Sequence, residues 1–163
     1  MNGSKVDAAL QAVYGELRQD PGVILFTALR WLQADSVLRR VFTSHPEEYP
    51  LGAEKSVEIS AGWLETVIAK QQPFLAPDLE SLAEVFTDVA LIQSLGCGAV
   101  INIPVVSGGA VVGVLALLDA EGKYTDRSLS TASAVVSAAT EEIASAFINS
   151  DQTVFTGKEA VRP

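Results

Sequence analysis

The chain has 163 residues, an apolar share of 48% and a formal net charge of −9. That length fits one domain able to bury its own core. The acidic balance excludes the broad basic footprint needed for nucleic acid or an anionic membrane surface. One cysteine rules out an intramolecular disulfide and any paired-cysteine metal or redox motif. The N-terminus is polar, and no apolar run approaches the roughly 18 residues of a membrane span. The expectation is therefore a soluble, cytoplasmic protein.

Residues Ser4–Gln19 read as a helix, with Ser4 as N-cap and Val6, Leu10, Val13 and Leu17 on one stripe. Asp20-Pro21-Gly22 stops it. Val23–Leu32 and Ser36–Ser44 read as a strand pair joined at Gln33-Ala34-Asp35. The second strand carries Arg39 and Arg40 on opposite sides, the mark of an edge strand. The segment from His45 to Gly52 holds two prolines and breaks regular structure. Ser60–Lys70 follows as a helix capped by Ser60, burying Trp63, Leu64, Val67 and Ile68. A short extended piece, Phe74-Leu75-Ala76, precedes two short helices over Asp78–Phe86 and Asp88–Leu95, with Asp78 and Asp88 as caps.

Next come two strand runs, Ala99–Val106 and Ala110–Leu118, joined by Ser107-Gly108-Gly109. Glycine supplies the positive φ of a tight hairpin turn. Neither run alternates apolar with polar, so both faces of this ribbon must be covered. Pro104 belongs where no ladder bond is required, and Gly113 leaves room for a close approach to the backbone. Thr125 or Asp126 then caps a long helix reaching about Asn149. Its stripe is Leu129, Ala132, Val136, Ala139, Ile143 and Ala146, at heptad spacing suited to a close helix partner. The whole reads as one domain over residues 1–150, with helix 4–19, core 23–120 and helix 125–149. Residues 151–163 form a loose or partner-dependent tail.

The segment LGCGAVINIPVVSGGAVVGVLALLD followed by a long helix resembles the late core of a GAF domain. The earlier LFTALRWL and VLRRVFTSHPEEYPLG fit the same family, and the likeness covers Val23 to Phe147. Among its members the chain looks most like small stand-alone bacterial GAF proteins. The resemblance implies an α+β fold: an antiparallel sheet of about six strands, terminal helices on one face and an irregular helical roof over a pocket on the other. It also implies a sensory or regulatory role, with a small effector in the pocket and a homodimer through Ser4–Gln19 and Thr125–Asn149, or a separate effector protein, as output. Fold likeness does not name a ligand, and the cofactor stays open. The segment from Asp119 to Asp126 departs from the NKxDE-type motif of cyclic-nucleotide-binding relatives. Cys97 is followed by glycine, not by the histidine common at bilin-attachment cysteines. Free methionine sulfoxide reductases of this fold use more than one cysteine, so a single thiol lacks its disulfide partner.

The candidate ligand-binding residues are Tyr49, Trp63, Phe74, Phe86, Cys97 and Asn102. The aromatic ones can stack on a planar ligand, although for Trp63, Phe74 and Phe86 packing of the roof on the sheet is the simpler account. Asn102 is a lone amide in an apolar strand and must bond a ligand, a roof group or a water. Cys97 reads as a pocket thiol or, as free cysteine usually is, a small core residue. His45 is the one histidine; without further ligands or a catalytic constellation it reads as a loop-bracing residue. No catalytic or metal-ligating set is expected. Two other classes stay open: a structural dimerisation module with a collapsed pocket, and a redox enzyme centred on Cys97.

Overall fold

A computed structural model of the protein describes the backbone of residues 2–52, 54–55 and 60–161, and the side chains of residues 8–52 and 60–150. In chain order the elements are α1 (Asn2–Gln19), β1 (Leu25–Leu32), β2 (Val37–Thr43), β3 (Glu54–Lys55) and α2 (Ala61–Trp63), which widens into a π-helical segment over Leu64–Ala69. Then follow β4 (Phe74–Ala76), α3 (Leu79–Ala83), α4 (Val89–Ser94), β5 (Ala99–Ser107), β6 (Ala110–Asp119), α5 (Asp126–Ala138) and α6 (Thr140–Val161).

The six strands form one sheet in the order β3-β2-β1-β6-β5-β4, and every pair is antiparallel. Gly108 and Gly109, at φ 61° and 81°, make the β5–β6 turn, the left-handed region that a two-residue hairpin loop demands. Both faces of that ribbon are covered, as its sequence requires. Ile101, Ile103, Leu115 and Leu117 meet the terminal helices, while Val100, Val114, Ala116 and Leu118 meet the roof of α2, α3, α4 and the π-helical segment. Pro104 lies past Asn102, the last residue of β5 paired with β4, where β5 has a neighbour only on its β6 side, opposite Val114.

The stripes of the terminal helices face this sheet. Leu10, Val13 and Leu17 of α1, with Ala132, Val136, Ile143 and Ala146 of α5 and α6, are buried in the chain's own core. Val6 and the Ser4 cap lie outside the described side chains. The expected single helix over Thr125–Asn149 is two helices instead. Thr125 caps α5 with its side chain on the Ser128 amide, but at Ala139 the backbone leaves the helical region (φ −117°). The Val136 carbonyl accepts from the Ala139 amide at 3.1 Å and from Thr140 Oγ1 at 2.9 Å. Side-chain capture of a carbonyl in this way bends helices. The backbone of α6 then continues to Val161, beyond the Asn149 end expected from spacing.

Three further local departures have physical causes. Ser60 caps α2 as expected, accepting from the Trp63 amide at 3.1 Å, yet regular α-helix ends at Trp63. From there Lys70 N–H reaches the carbonyl of Glu65, five residues back, at 2.8 Å. The β-branched run Thr66-Val67-Ile68 crowds a tight α-turn, and the wider turn relieves it. In β2, a bulge opposite Ala28/Leu29 shifts the register. Val41 and Phe42 therefore both face the helices, and Arg40 turns to the roof side and is buried. The edge-strand reading of Arg39 and Arg40 fails for Arg40, and β3 covers the outer edge of β2 at Leu38 and Arg39.

Gly113 is required by packing. A Cβ there would lie 2.6 Å from the ring of Phe147, itself fully buried. Gly113→Ala should lower unfolding free energy by about 1–3 kcal/mol, the usual cost of overpacking. Denaturant titration checks this, and adding Phe147→Leu should recover much of the loss.

Candidate functional site

The site begins with a row of side chains across the roof face of the sheet. Register places Thr27 opposite Ala116, Ala116 opposite Asn102 and Asn102 opposite Phe74. The neighbouring row is Leu25, Leu118, Val100 and Ala76. A methyl at Ala116, between bulkier neighbours, leaves a hollow in the floor. Leu29 and Leu38 extend the apolar lining, and Ile92 and Phe86 close it from the roof. The volume left open to a water-sized sphere is about 30 Å³. At about 10–15 Å³ for each water, that holds two or three water molecules, whereas drug-sized ligands occupy roughly 300–1,000 Å³. In this closed form the cavity is small.

Two polar contacts tie the roof down beside it. Trp63 Nε1–H donates to Asn102 Oδ1 at 2.9 Å, with Asn102 1% exposed. The lone amide of the central strand therefore has a roof partner, one of the roles open to it from sequence. Tyr49 O–H donates to Asp88 Oδ2 at 2.7 Å. Asp88 was expected as a helix cap; it makes no capping bond to α4 and instead joins the loop after β2 to the roof. Burial, and then this hydrogen bond, push the Tyr49 hydroxyl well above its ordinary pKa.

Arg40 completes the cluster. Its guanidinium lies 4.8 Å from the centre of the Tyr49 ring and donates through Nη1 to the Pro50 carbonyl at 3.0 Å. The first is a cation–π contact in a desolvated setting. Desolvation lowers the Arg40 pKa, with Tyr49 and Asp88 opposing the shift. Arg40 Nε is buried with no hydrogen-bond partner among the described residues.

Tyr49, Trp63, Phe86 and Asn102 line this cavity together. Phe74 sits at the end of the floor row and packs at the margin of the roof-side core, outside the lining. Cys97 is also outside the lining, buried in the roof-side core. Sequence reading missed Arg40, because an arginine in a partly alternating strand reads as a charged residue of an exposed edge. It also missed Asp88 as a tyrosine partner, since an aspartate before a helix reads first as a cap.

Among curated proteins none matches the chain significantly by sequence. A family model described as GAF domain matches residues 5–144. The chain belongs to the GAF domain family. Solved structures agree on the fold. The GAF domain of a two-component sensor histidine kinase from Bacillus halodurans superposes with a TM-score of 0.67 at 15% identity, covering 90% of this chain and 96% of that one. A GAF domain/HD domain protein from Geobacter sulfurreducens gives 0.66 at 13% identity, covering 85% and 91%. A type II free methionine-R-sulfoxide reductase from Thermoplasma acidophilum gives 0.64 at 11% identity, covering 88% and 95%.

In this GAF domain His45 braces the loop after β2, its Nδ1 2.8 Å from Ser44 Oγ, which in turn accepts from the Phe26 amide at 2.9 Å. Among the described residues no group of three or more His, Cys, Asp or Glu could hold a metal ion, and no helix is long and apolar enough to cross a membrane. Burial, reinforced by the charge of Asp119, pushes the Cys97 thiol up to about 11 from an ordinary 9.0.

Two outcomes follow. Trp63→Phe strands Asn102 Oδ1 and should cost about 1–3 kcal/mol of stability, read from thermal or urea unfolding. For Cys97, the unfolded thiol ionises near 9.0 and the folded one near 11. Rising pH in that window therefore favours the unfolded chain, and stability should fall from about pH 9 upward. Urea midpoints across pH 7–11 check this, with Cys97→Ala showing a shallower fall.

Proposed function

We propose that this GAF domain is a sensory or regulatory binding module whose effector occupies the space between Ala116 and the roof, entering as the roof lifts. The observation that carries the reading is the construction of that space. It has a floor hollowed at one small residue, polar groups within a largely apolar lining and short helices held over it by two side-chain hydrogen bonds. Binding would favour whichever roof state holds the effector better, shifting the balance of states by the difference in affinity. Output would pass through the terminal helices to a second copy or to a separate effector protein. Because their apolar stripes are buried on the sheet, a dimer must use the outer faces, where Ile148 of α6 is 45% exposed.

A second reading has its own support. The closed cavity holds only two or three waters, as a structural module with a collapsed pocket would. A redox enzyme has less support: Cys97 is buried outside the cavity, and its raised pKa keeps it protonated near neutrality. Likeness to a reductase at 11% identity speaks to fold alone.

Native mass spectrometry of freshly purified wild-type protein and Ala116→Leu separates the two main readings. The sensor reading expects a retained small molecule, or one acquired from a metabolite mixture, lost in Ala116→Leu with the fold intact. No adduct under any condition favours the structural module. Sedimentation at high micromolar concentration, with and without that molecule, tests the output; a monomer throughout rules out the helix-mediated dimer.

A further inference from the structure

The cavity lining sets several hydrogen-bond donors beside a single carboxylate. An indole can only donate, so Oδ1 of Asn102 faces Trp63 and its NH2 pair is what the amide has left to offer. Arg40 is 5% exposed; Nη1 serves Pro50, one face lies over Tyr49, and Nε–H has no acceptor among the described residues. Thr27 adds a hydroxyl to the same lining. The lining's one carboxylate, Asp88, receives the Tyr49 hydroxyl at Oδ2 and offsets part of the Arg40 charge, without bonding its Nε–H. A guanidinium held away from water with a donor unused is a costly arrangement unless an acceptor arrives. The rest of the lining is apolar, aliphatic apart from Phe86.

We propose that the cavity is a carboxylate site for a short aliphatic monocarboxylate of about two to four carbons, seated as the roof lifts, because the space of about 30 Å³ takes two or three waters and not the whole molecule. The carboxylate oxygens accept from Arg40 Nε–H and the Asn102 NH2, and the alkyl chain lies against Leu25, Leu118 and Ile92. This rests on the sensor reading and names the chemical class of its effector. A planar carboxylate suits guanidinium geometry, and such charge-assisted bonds outlast neutral ones. Asp88 repels an anion and holds the affinity down, so the carboxylate belongs on the Arg40–Asn102 side and millimolar probes are appropriate.

The test is an NMR titration of wild-type protein with sodium acetate, propionate and butyrate, against acetamide, propionamide and butyramide at constant ionic strength. The Trp63 indole, Asn102 side-chain amide and Arg40 Nε–H signals report the site. At least one acid should bind about tenfold or more tightly than its matching amide, since one charge-assisted bond is worth about 1.4 kcal/mol or more on that scale. In Arg40→Met the preference should fall to near unity, with amide binding retained. Equal binding of acid and amide to wild-type protein overturns the carboxylate assignment while leaving the pocket intact. So does an unchanged preference in Arg40→Met. If no probe of either kind moves the three signals, the pocket itself does not open, and the sensor reading falls with the proposal. Should Arg40→Met not fold, the wild-type acid-to-amide ratio decides alone.

Discussion

The architecture depends on one constraint: the β5–β6 ribbon is apolar on both faces and must be kept from water on both. One face is satisfied by long amphipathic helices, α1, α5 and α6, which pack closely enough that Gly113 has no space for a side chain beside Phe147. The other face is covered by short pieces, α2 with its π-helical continuation, α3 and α4, none with enough apolar surface to stand alone. The two covers differ in kind. One is a wall of long helices, and the other a roof of short turns that packs on the sheet and is tied down by two side-chain hydrogen bonds.

Those few contacts decide what the roof face can do. Trp63–Asn102 fastens the π-helical side to the sheet, and Tyr49–Asp88 fastens the loop after β2 to α4. The first is buried and the second partly so, which makes them costly to break and gives the roof a defined geometry. Between the fastenings lies a space of about 30 Å³. Local opening of weakly packed segments costs less than global unfolding, and binding sites are drawn from such segments. In the sensor reading proposed above, release of these two fastenings is what admits the effector.

The fold was legible in the sequence where local chemistry is strong. The glycine pair at Gly108 and Gly109, the two-faced apolar runs, the Ser60 cap and the Asp78 cap, whose side chain accepts from the Ser81 amide at 2.8 Å, all act within a few residues. Tyr49, Trp63, Phe86 and Asn102 could be grouped because a lone amide and roof aromatics stand out against an apolar background. What sequence could not supply depends on register and on distant partners. The bulge in β2 puts Phe42 on the face opposite Leu38 and Arg40, and the shared Val136 carbonyl splits the last helix at Ala139. Asp88 finds Tyr49, 39 positions away in the chain. The same limit applies to Phe74 and Cys97, which are near the cavity in sequence logic and outside its lining in space.

The central claim is that the roof opens independently of the sheet beneath it. Hydrogen–deuterium exchange of the intact protein under native conditions tests it most directly. Amides of Leu64–Ala69, α3 and α4 should exchange about a hundredfold or more faster than those of β5 and β6, as expected for a cover with its own low-energy opening. Exchange of roof and ribbon at one common rate, released only by global unfolding, would mean the roof is a fixed part of the core and would contradict the account.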